Sequence, residues 1–123
     1  MKKKYSKMFI VNHGTYPFDI LVCVNCEHKN IVKFIEKNKK YKLTDSEKEF
    51  LMMSGVGRTV MLLGGQTILR INDAKDIPNL AHEVFHAVEF LFNKIGIKHS
   101  DDSSEAFAYQ ISYLMGSILE KLK

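Results

Sequence analysis

Short apolar runs occupy much of the first two-thirds of the chain, and two longer stretches with helical spacing follow them. The runs at residues 8–12 and 18–24 are rich in β-forming residues and are separated by the turn-prone segment 13–17, so they predict two strands. The runs at residues 58–63 and 66–71 predict two more. Between them, Gly64-Gly65 can adopt the positive φ angles of a tight two-residue hairpin.

Two helices are expected in the first half of the chain. Residues 27–37 carry apolar side chains at helical spacing. Residues 44–47 read Thr-Asp-Ser-Glu, which has the pattern of a capping box and predicts that a second helix begins there. The side chains expected to face the core from these helices are Ile31, Phe34, Ile35, Phe50, Leu51 and Met52.

Two long helices are expected at the C-terminal end, over residues 77–95 and 102–122, with Gly96 between them. Phe85 and Phe92 widen the apolar stripe of the first, which predicts a helix buried on more than one side. The other core positions expected in the two helices are Leu80, Val84, Val88, Leu91, Phe107, Ile111, Leu114, Ile118 and Leu119. Together, these strands and helices predict a single α+β domain over residues 1–123, with a small antiparallel sheet packed against helices.

The chain has 18 Lys and Arg against 14 Asp and Glu, a formal net charge of +4. Much of the excess lies in residues 2–4 and 37–42, which we interpret as a solvated terminus and a solvated helix end. Nucleic acid is therefore not the expected partner, although a small nucleic-acid binder stays an alternative. No apolar run approaches the roughly 20 residues of a membrane span, and residues 8–11 are too few for a signal peptide. We expect a cytoplasmic protein that does not associate with membranes.

Cys23 and Cys26 form a C-x-x-C pair, the only cysteines of the chain. The pair falls at the end of the second predicted strand, so ordinary reduced thiols are the expected state in the cytoplasm. A redox or metal role stays open, because this spacing also occurs in dithiol sites and zinc sites. No second C-x-x-C is present to complete a structural zinc site.

The residues with the clearest chemistry are His82-Glu83-Val84-Phe85-His86, an H-E-x-x-H segment inside the first long helix. Helix positions four apart are separated by about 6 Å along the axis and about 40° around it, so both imidazoles project side by side. They can meet one zinc ion at about 2.0–2.1 Å. Glu83 then lies where a carboxylate can accept a proton from a zinc-activated water.

A third ligand is expected because catalytic zinc usually has three protein ligands and one open position. The candidate is Glu105, at the start of the last helix, with His99, Asp101 and Asp102 in reserve. A competing interpretation makes Glu105 part of a capping box with Asp102. Tyr109 and Tyr113 are the available donors for a developing oxyanion, or else packing tyrosines. Asp102 or Asp73 could accept a hydrogen bond from a ligand histidine.

Residues 58–122, about half of the chain, resemble the zincin metallopeptidases, specifically the gluzincin type, in which a glutamate on a later helix completes the zinc site. The uncharged flanks of the H-E-x-x-H segment match the zincin pattern, and Glu105 with Ala108 and Tyr109 is similar to the gluzincin E-x-x-A region. Residues 82–109 also resemble the corresponding stretch of very short H-E-x-x-H proteins of phages and mobile elements. The resemblance implies a strand beside the cleft that pairs with extended substrate, and residues 66–71 are the expected strand.

The expected function is zinc-dependent hydrolysis of peptide bonds in a peptide or protein substrate. Zn²⁺ would be bound by His82, His86 and Glu105, with Glu83 as general base and Tyr109 as oxyanion donor. The alternative is a catalytically inactive zinc-binding protein that acts as a binding or structural module. Substrate identity and oligomeric state do not follow from these residues.

Overall fold

Strands and helices occur in pairs along the chain, and the predicted α+β class is confirmed. The computed structural model describes residues 5–38, 42–52, 55–63 and 65–123. In chain order the elements are β1 (Lys7–His13), β2 (Tyr16–Val24), α1 (His28–Asn38), α2 (Asp45–Met52), β3 (Gly57–Met61), β4 (Thr67–Ile71), α3 (Ile77–Lys94) and α4 (Ser104–Lys121). The predicted lysine cluster at residues 2–4 and part of the cluster at 37–42 lie outside the described residues.

The four strands form one sheet in the order β1-β2-β4-β3. β1 pairs with β2 and β3 pairs with β4 in the antiparallel sense, but β2 and β4 are parallel. The sheet is therefore mixed, and the prediction of a purely antiparallel sheet was wrong. The parallel pair arises because α1, α2 and β3 intervene between β2 and β4, a connection long enough to return the chain to the same end of the sheet.

The β3–β4 pair matches the predicted hairpin in its strands. Thr67 lies opposite Met61, and the Leu62 amide donates to the Gln66 carbonyl at 2.8 Å. Gly65 has a φ of +94°, the positive value that a glycine in this turn was expected to supply. Gly64 lies outside the described residues, so the two-residue Gly-Gly turn stays a prediction.

The sheet separates two apolar layers, because successive side chains of a strand point to opposite faces. On one face, Val22 and Leu69 pack with the buried sides of α3 and α4. On the other, Leu21 and Ile68 pack with α1 and the buried Leu51 of α2. β4 lies in the middle of this arrangement, and all five of its residues are buried.

The predicted capping box at the start of α2 is confirmed. The Thr44 amide donates to Glu47 Oε1 at 2.9 Å, and the Glu47 amide donates to Thr44 Oγ1 at 3.2 Å. Leu51 is buried as expected, but Phe50 is 53% exposed, so its expected burial was wrong. The side chain of Met52 lies outside the described part of the chain.

Among the residues that the structure describes, no helix combines the length and the apolar character needed to cross a bilayer. α3 buries Leu80, Val84 and Leu91 as expected. Its burial is nevertheless one-sided, since His82 is exposed and Phe85 is 37% exposed. The expectation that this helix is buried on more than one side was wrong, because only the face toward the sheet and α4 is covered.

Candidate metal centre

Local sequence fixes where α3 begins and how it lies on the sheet. The Asp76 side chain accepts a hydrogen bond from the Asn79 amide at 3.1 Å, and Pro78 occupies the first turn, where a missing N–H costs nothing. The Asn79 side-chain amide donates to the Val56 carbonyl at 2.8 Å. The Asn79 Oδ1 atom lies 2.7 Å from where a Cβ on Gly57 would be, so this glycine lets α3 approach β3 closely.

His82 and His86 lie one turn apart on α3 and point toward a common position. Their Nε2 atoms are 3.2 Å apart, and the ring planes are inclined by 76°. His82 is exposed and His86 is partly exposed. The two histidines are therefore not buried polar groups. They line a surface cleft that solvent can reach.

The spacing of the two imidazole nitrogens fits a shared zinc ion. At a Zn–N distance of about 2.0–2.1 Å and a tetrahedral angle, two ligand nitrogens stand about 3.3 Å apart. The 3.2 Å between His82 Nε2 and His86 Nε2 agrees with this value. The same distance also suits a hydrogen bond between the rings, in which one Nε2 carries the proton. A cation would replace that proton and use both lone pairs.

His86 has a carboxylate partner on its other nitrogen. Its Nδ1 lies 3.0 Å from Glu89 Oε1, one turn further along α3. A carboxylate in this position holds the proton on Nδ1 and leaves the Nε2 lone pair directed at the cleft, as is common for metal-binding histidines. The expectation that Asp73 or Asp102 would play this part was wrong for His86. Asp73 instead accepts from the Lys75 amide at 2.9 Å.

Glu83 is 5% exposed and reaches into the same cleft from the side of α3 that faces the sheet. The Thr59 hydroxyl of β3 lies 2.8 Å from Glu83 Oε1 and 3.0 Å from the Glu83 backbone carbonyl. A hydroxyl has one proton, which the two acceptors share. Thr59 thus ties the Glu83 side chain to the edge strand, a contact that the spacing of residues along α3 could not reveal.

The cleft has a volume of about 320 Å³. Its walls come from the edge strand β3 and from α3. The residues that line it are Gly57, Arg58, Thr59, His82, Glu83, His86 and Phe90. Both histidines, the acid between them and the edge strand therefore share one cavity.

Arginine side chains lie near Glu83. Arg70 is 6% exposed; burial and the neighbouring Arg58 lower its pKa, whereas the Glu83 carboxylate raises it. Arg58 and Arg70 are direct cross-strand partners on β3 and β4. Positive charge is therefore present near the general-base candidate.

Glu105 lies in the first turn of α4 and is exposed. Within the described ranges, no three His, Cys, Asp or Glu side chains form a group that could hold a metal ion, so the structure does not bring Glu105 together with His82 and His86. Nearby, the Phe107 ring packs on Phe92 at 4.6 Å between centroids. The start of α4 therefore contacts α3 beyond His86, toward its C-terminal end.

The remaining predicted site residues lie elsewhere on the surface. Tyr109 is 71% exposed, and His99 packs its ring on Phe107 at 4.7 Å. The Tyr113 hydroxyl donates to Asn12 Oδ1 at 3.3 Å. None of these three lines the cleft.

The competing capping-box interpretation of Glu105 is not what the structure shows. α4 begins at Ser104, with Ser103 rather than Asp102 at the N-cap position, and no side chain caps the helix there. Glu105 is thus in the first turn without a capping role. Its carboxylate is available to another partner.

Comparison with protein-family profiles, curated proteins and solved structures found no match for this chain. The likeness to gluzincins stays a prediction that rests on the sequence.

Proposed function

We propose that this chain is a zinc-dependent metallopeptidase that hydrolyses peptide bonds with Glu83 as its general base. One observation carries the proposal: the Nε2 atoms of His82 and His86 converge to 3.2 Å beside the Glu83 carboxylate in a single cleft. A zinc ion held by these two nitrogens would supply Lewis-acid activation of a carbonyl and of a water.

The protein's own part in the reaction falls to Glu83. Thr59 engages Oε1, which leaves Oε2 to accept a proton from the attacking water. The same carboxylic acid then donates that proton to the leaving nitrogen as the peptide bond breaks. Because Thr59 holds one oxygen, the carboxylate stays oriented through both transfers, and its position depends on the packing of β3 against α3.

Glu105 is our proposed third ligand and Tyr109 our proposed oxyanion donor. The two residues are one helical turn apart and both are exposed, so their side chains lie near each other on α4. The support is the chemistry of the donor set, since two imidazoles and one carboxylate are a common catalytic zinc combination. Glu105 also has no capping role that would hold it elsewhere.

The substrate strand is better assigned to β3 than to β4. β4 lies between β2 and β3 in the sheet, so both of its edges are already paired. β3 is the edge strand, and Gly57, Arg58 and Thr59 line the cleft. An extended peptide that pairs with the outer edge of β3 would place a peptide bond near Glu83.

A catalytically inactive zinc-binding protein is the second candidate. It is favoured by the absence, among the described residues, of a three-ligand group around the histidines. Two imidazoles can hold a cation without any turnover. A zinc-loaded protein that cleaves no member of a peptide library would support this alternative.

The substitution Glu83→Gln tests the mechanism. It should lower peptide hydrolysis by about 10²–10⁴-fold, because the amide cannot accept the proton, while zinc content stays that of the wild type. Zinc by elemental analysis and cleavage of a peptide library are the two measurements. Glu49→Gln, on the exposed face of α2, is the matched control and should change neither. Full hydrolysis by Glu83→Gln would refute the assignment.

A further inference from the structure

The two cysteines lie together on the sheet face opposite the candidate metal centre. Cys23 is the second-last residue of β2 and is 0% exposed, within the apolar layer that α1 and α2 cover. Cys26 follows one turn later, just before α1, and packs against the same layer while remaining half-buried. Cys23 is therefore sealed in the core, whereas Cys26 lies at the edge of the same layer and is partly exposed.

The turn between the cysteines is held in place by hydrogen bonds on two sides. Asn25 has a φ of +52°, a left-handed conformation in which asparagine is among the favoured residues. Its amide donates to the Ile71 carbonyl at 2.8 Å, and its side chain donates to the Tyr5 carbonyl at 3.1 Å. The chain bends at Asn25, and the two cysteines, three residues apart, both pack in the same apolar layer.

The thiols differ in acidity as well as in exposure. A hydrogen bond from Cys23 lowers the pKa of Cys26 to about 6, and the nearby Ser6 hydroxyl acts in the same direction. The same hydrogen bond, together with burial, raises the pKa of Cys23. Near neutral pH the partly exposed Cys26 is therefore the more nucleophilic of the two, because the thiolate is the reactive form.

We propose that Cys26 and Cys23 form a reversible dithiol–disulfide site, with Cys26 as the attacking thiol and Cys23 as the resolving thiol. The substrate is a disulfide small enough to reach Cys26, such as oxidised glutathione. The proposal does not depend on zinc or on Glu83, since Glu83 and the candidate metal centre lie on the other face of the sheet.

The reaction proceeds in two exchange steps. The Cys26 thiolate attacks one sulfur of the small disulfide, whose S–S bond breaks and releases one thiolate, leaving a mixed disulfide on Cys26. Cys23 then gives up its proton to the released thiolate and attacks the Cys26 sulfur, which expels the second thiolate. The protein loses two electrons and two thiols become one disulfide, while the small disulfide is reduced to two thiols.

Burial dictates the order of these steps. An external disulfide cannot reach Cys23, which is 0% exposed, so the first adduct forms on Cys26 alone. Only a sulfur already linked to Cys26 lies within reach of the Cys23 thiol. If the two thiols had only a structural role, a mixed disulfide would form on Cys26 and would persist.

The experiment incubates the full chain with graded ratios of oxidised to reduced glutathione, followed by acid quenching, alkylation and tryptic mass spectrometry. Both cysteines fall in one tryptic peptide, residues 8–29, so a single mass distinguishes every state. In the wild type we expect loss of both alkylation sites without a glutathione adduct. Cys23→Ala should accumulate the adduct on Cys26, and Cys26→Ser should leave Cys23 reduced.

Two results would overturn the proposal: a wild type that keeps the glutathione adduct on Cys26, or a wild type whose thiols both stay reduced at ratios that fully modify Cys23→Ala. Alanine is chosen at the buried position because it introduces no polar group into the core. If Cys23→Ala fails to fold, the wild-type peptide alone still decides between an internal disulfide and a persistent adduct.

Discussion

Two histidine environments on this molecule are built in opposite ways. His13 is 2% exposed at the end of β1 and accepts a hydrogen bond on Nδ1 from the Gln110 side chain at 3.2 Å. The same amide donates to the His13 carbonyl at 3.1 Å. His82 and His86 are solvent-accessible, and their Nε2 atoms face each other. His13 is an internal packing residue, whereas the pair presents lone pairs to the cleft.

The difference shows how a structural histidine can be told from a candidate ligand. At His13, burial is the main factor that lowers the pKa to about 4; the Lys94 charge adds to this and Asp19 opposes it. That ring is neutral and its acceptor nitrogen is already used. In the pair of His82 and His86, Glu89 orients the His86 ring through its Nδ1 atom. Among the described residues, the two Nε2 atoms contact only each other. Only the second arrangement has bonding capacity for a cation.

The largest effect should come from deleting one ring of the pair. His82→Ala or His86→Ala should lower zinc affinity by about a thousandfold or more, because loss of a direct ligand exceeds the 10–100-fold cost of losing an outer hydrogen-bond partner. Calorimetric titration with Zn²⁺ measures this. His99→Ala removes an exposed histidine outside the cleft and should leave the affinity unchanged. Equal losses of zinc affinity in all three variants would contradict the assignment of His82 and His86 as the ligands.

The second effect concerns His13 and acid. In the unfolded chain its pKa is near 6.5, and in the fold it is about 4. The unfolded state therefore binds the extra proton first, and the free energy of unfolding should fall as pH drops from 6.5 toward 4. Between about pH 7 and pH 5 this single residue should contribute about 2 kcal/mol of lost stability.

Urea unfolding at both pH values measures this loss, and His13→Gln isolates it from the titration of other groups. That variant lacks the proton site, so its stability should fall less with acid than that of the wild type. The same pH dependence in both proteins would show that His13 is not the buried neutral group described here.

The smallest effect should follow from Glu89→Gln. The amide oxygen can still accept from His86 Nδ1 but carries no charge, so zinc affinity should fall by about tenfold, the lower end of the range for such partners. Glu120→Gln is a matched control, because Glu120, near the end of α4, makes an i,i+3 pair with Lys123 just beyond the helix. An unchanged affinity in Glu89→Gln would mean that the carboxylate does not orient the ligand.

Local features of this molecule followed from its sequence better than distant ones. The spacing of His82 and His86 and the capping box at Thr44 and Glu47 are set within one helical turn, and both were predicted. The partner of His86 was missed, although the i,i+3 spacing to Glu89 offered a signal.

Features that depend on tertiary contacts were predicted poorly. The parallel pairing of β2 with β4 has no local pattern, since it depends on where the intervening helices return the chain. The Thr59–Glu83 hydrogen bond likewise requires β3 to pack on α3. Burial of α3 was overestimated because the apolar Phe85 faces outward, and apolar residues commonly remain on protein surfaces.

The central claim is that His82 and His86 share one cation, and a crystal structure of the protein grown with saturating zinc tests it most directly. We predict one anomalous peak about 2.0–2.1 Å from both Nε2 atoms, with the Glu105 carboxylate in the same coordination shell. A zinc-saturated crystal with no metal between these two rings would contradict the claim.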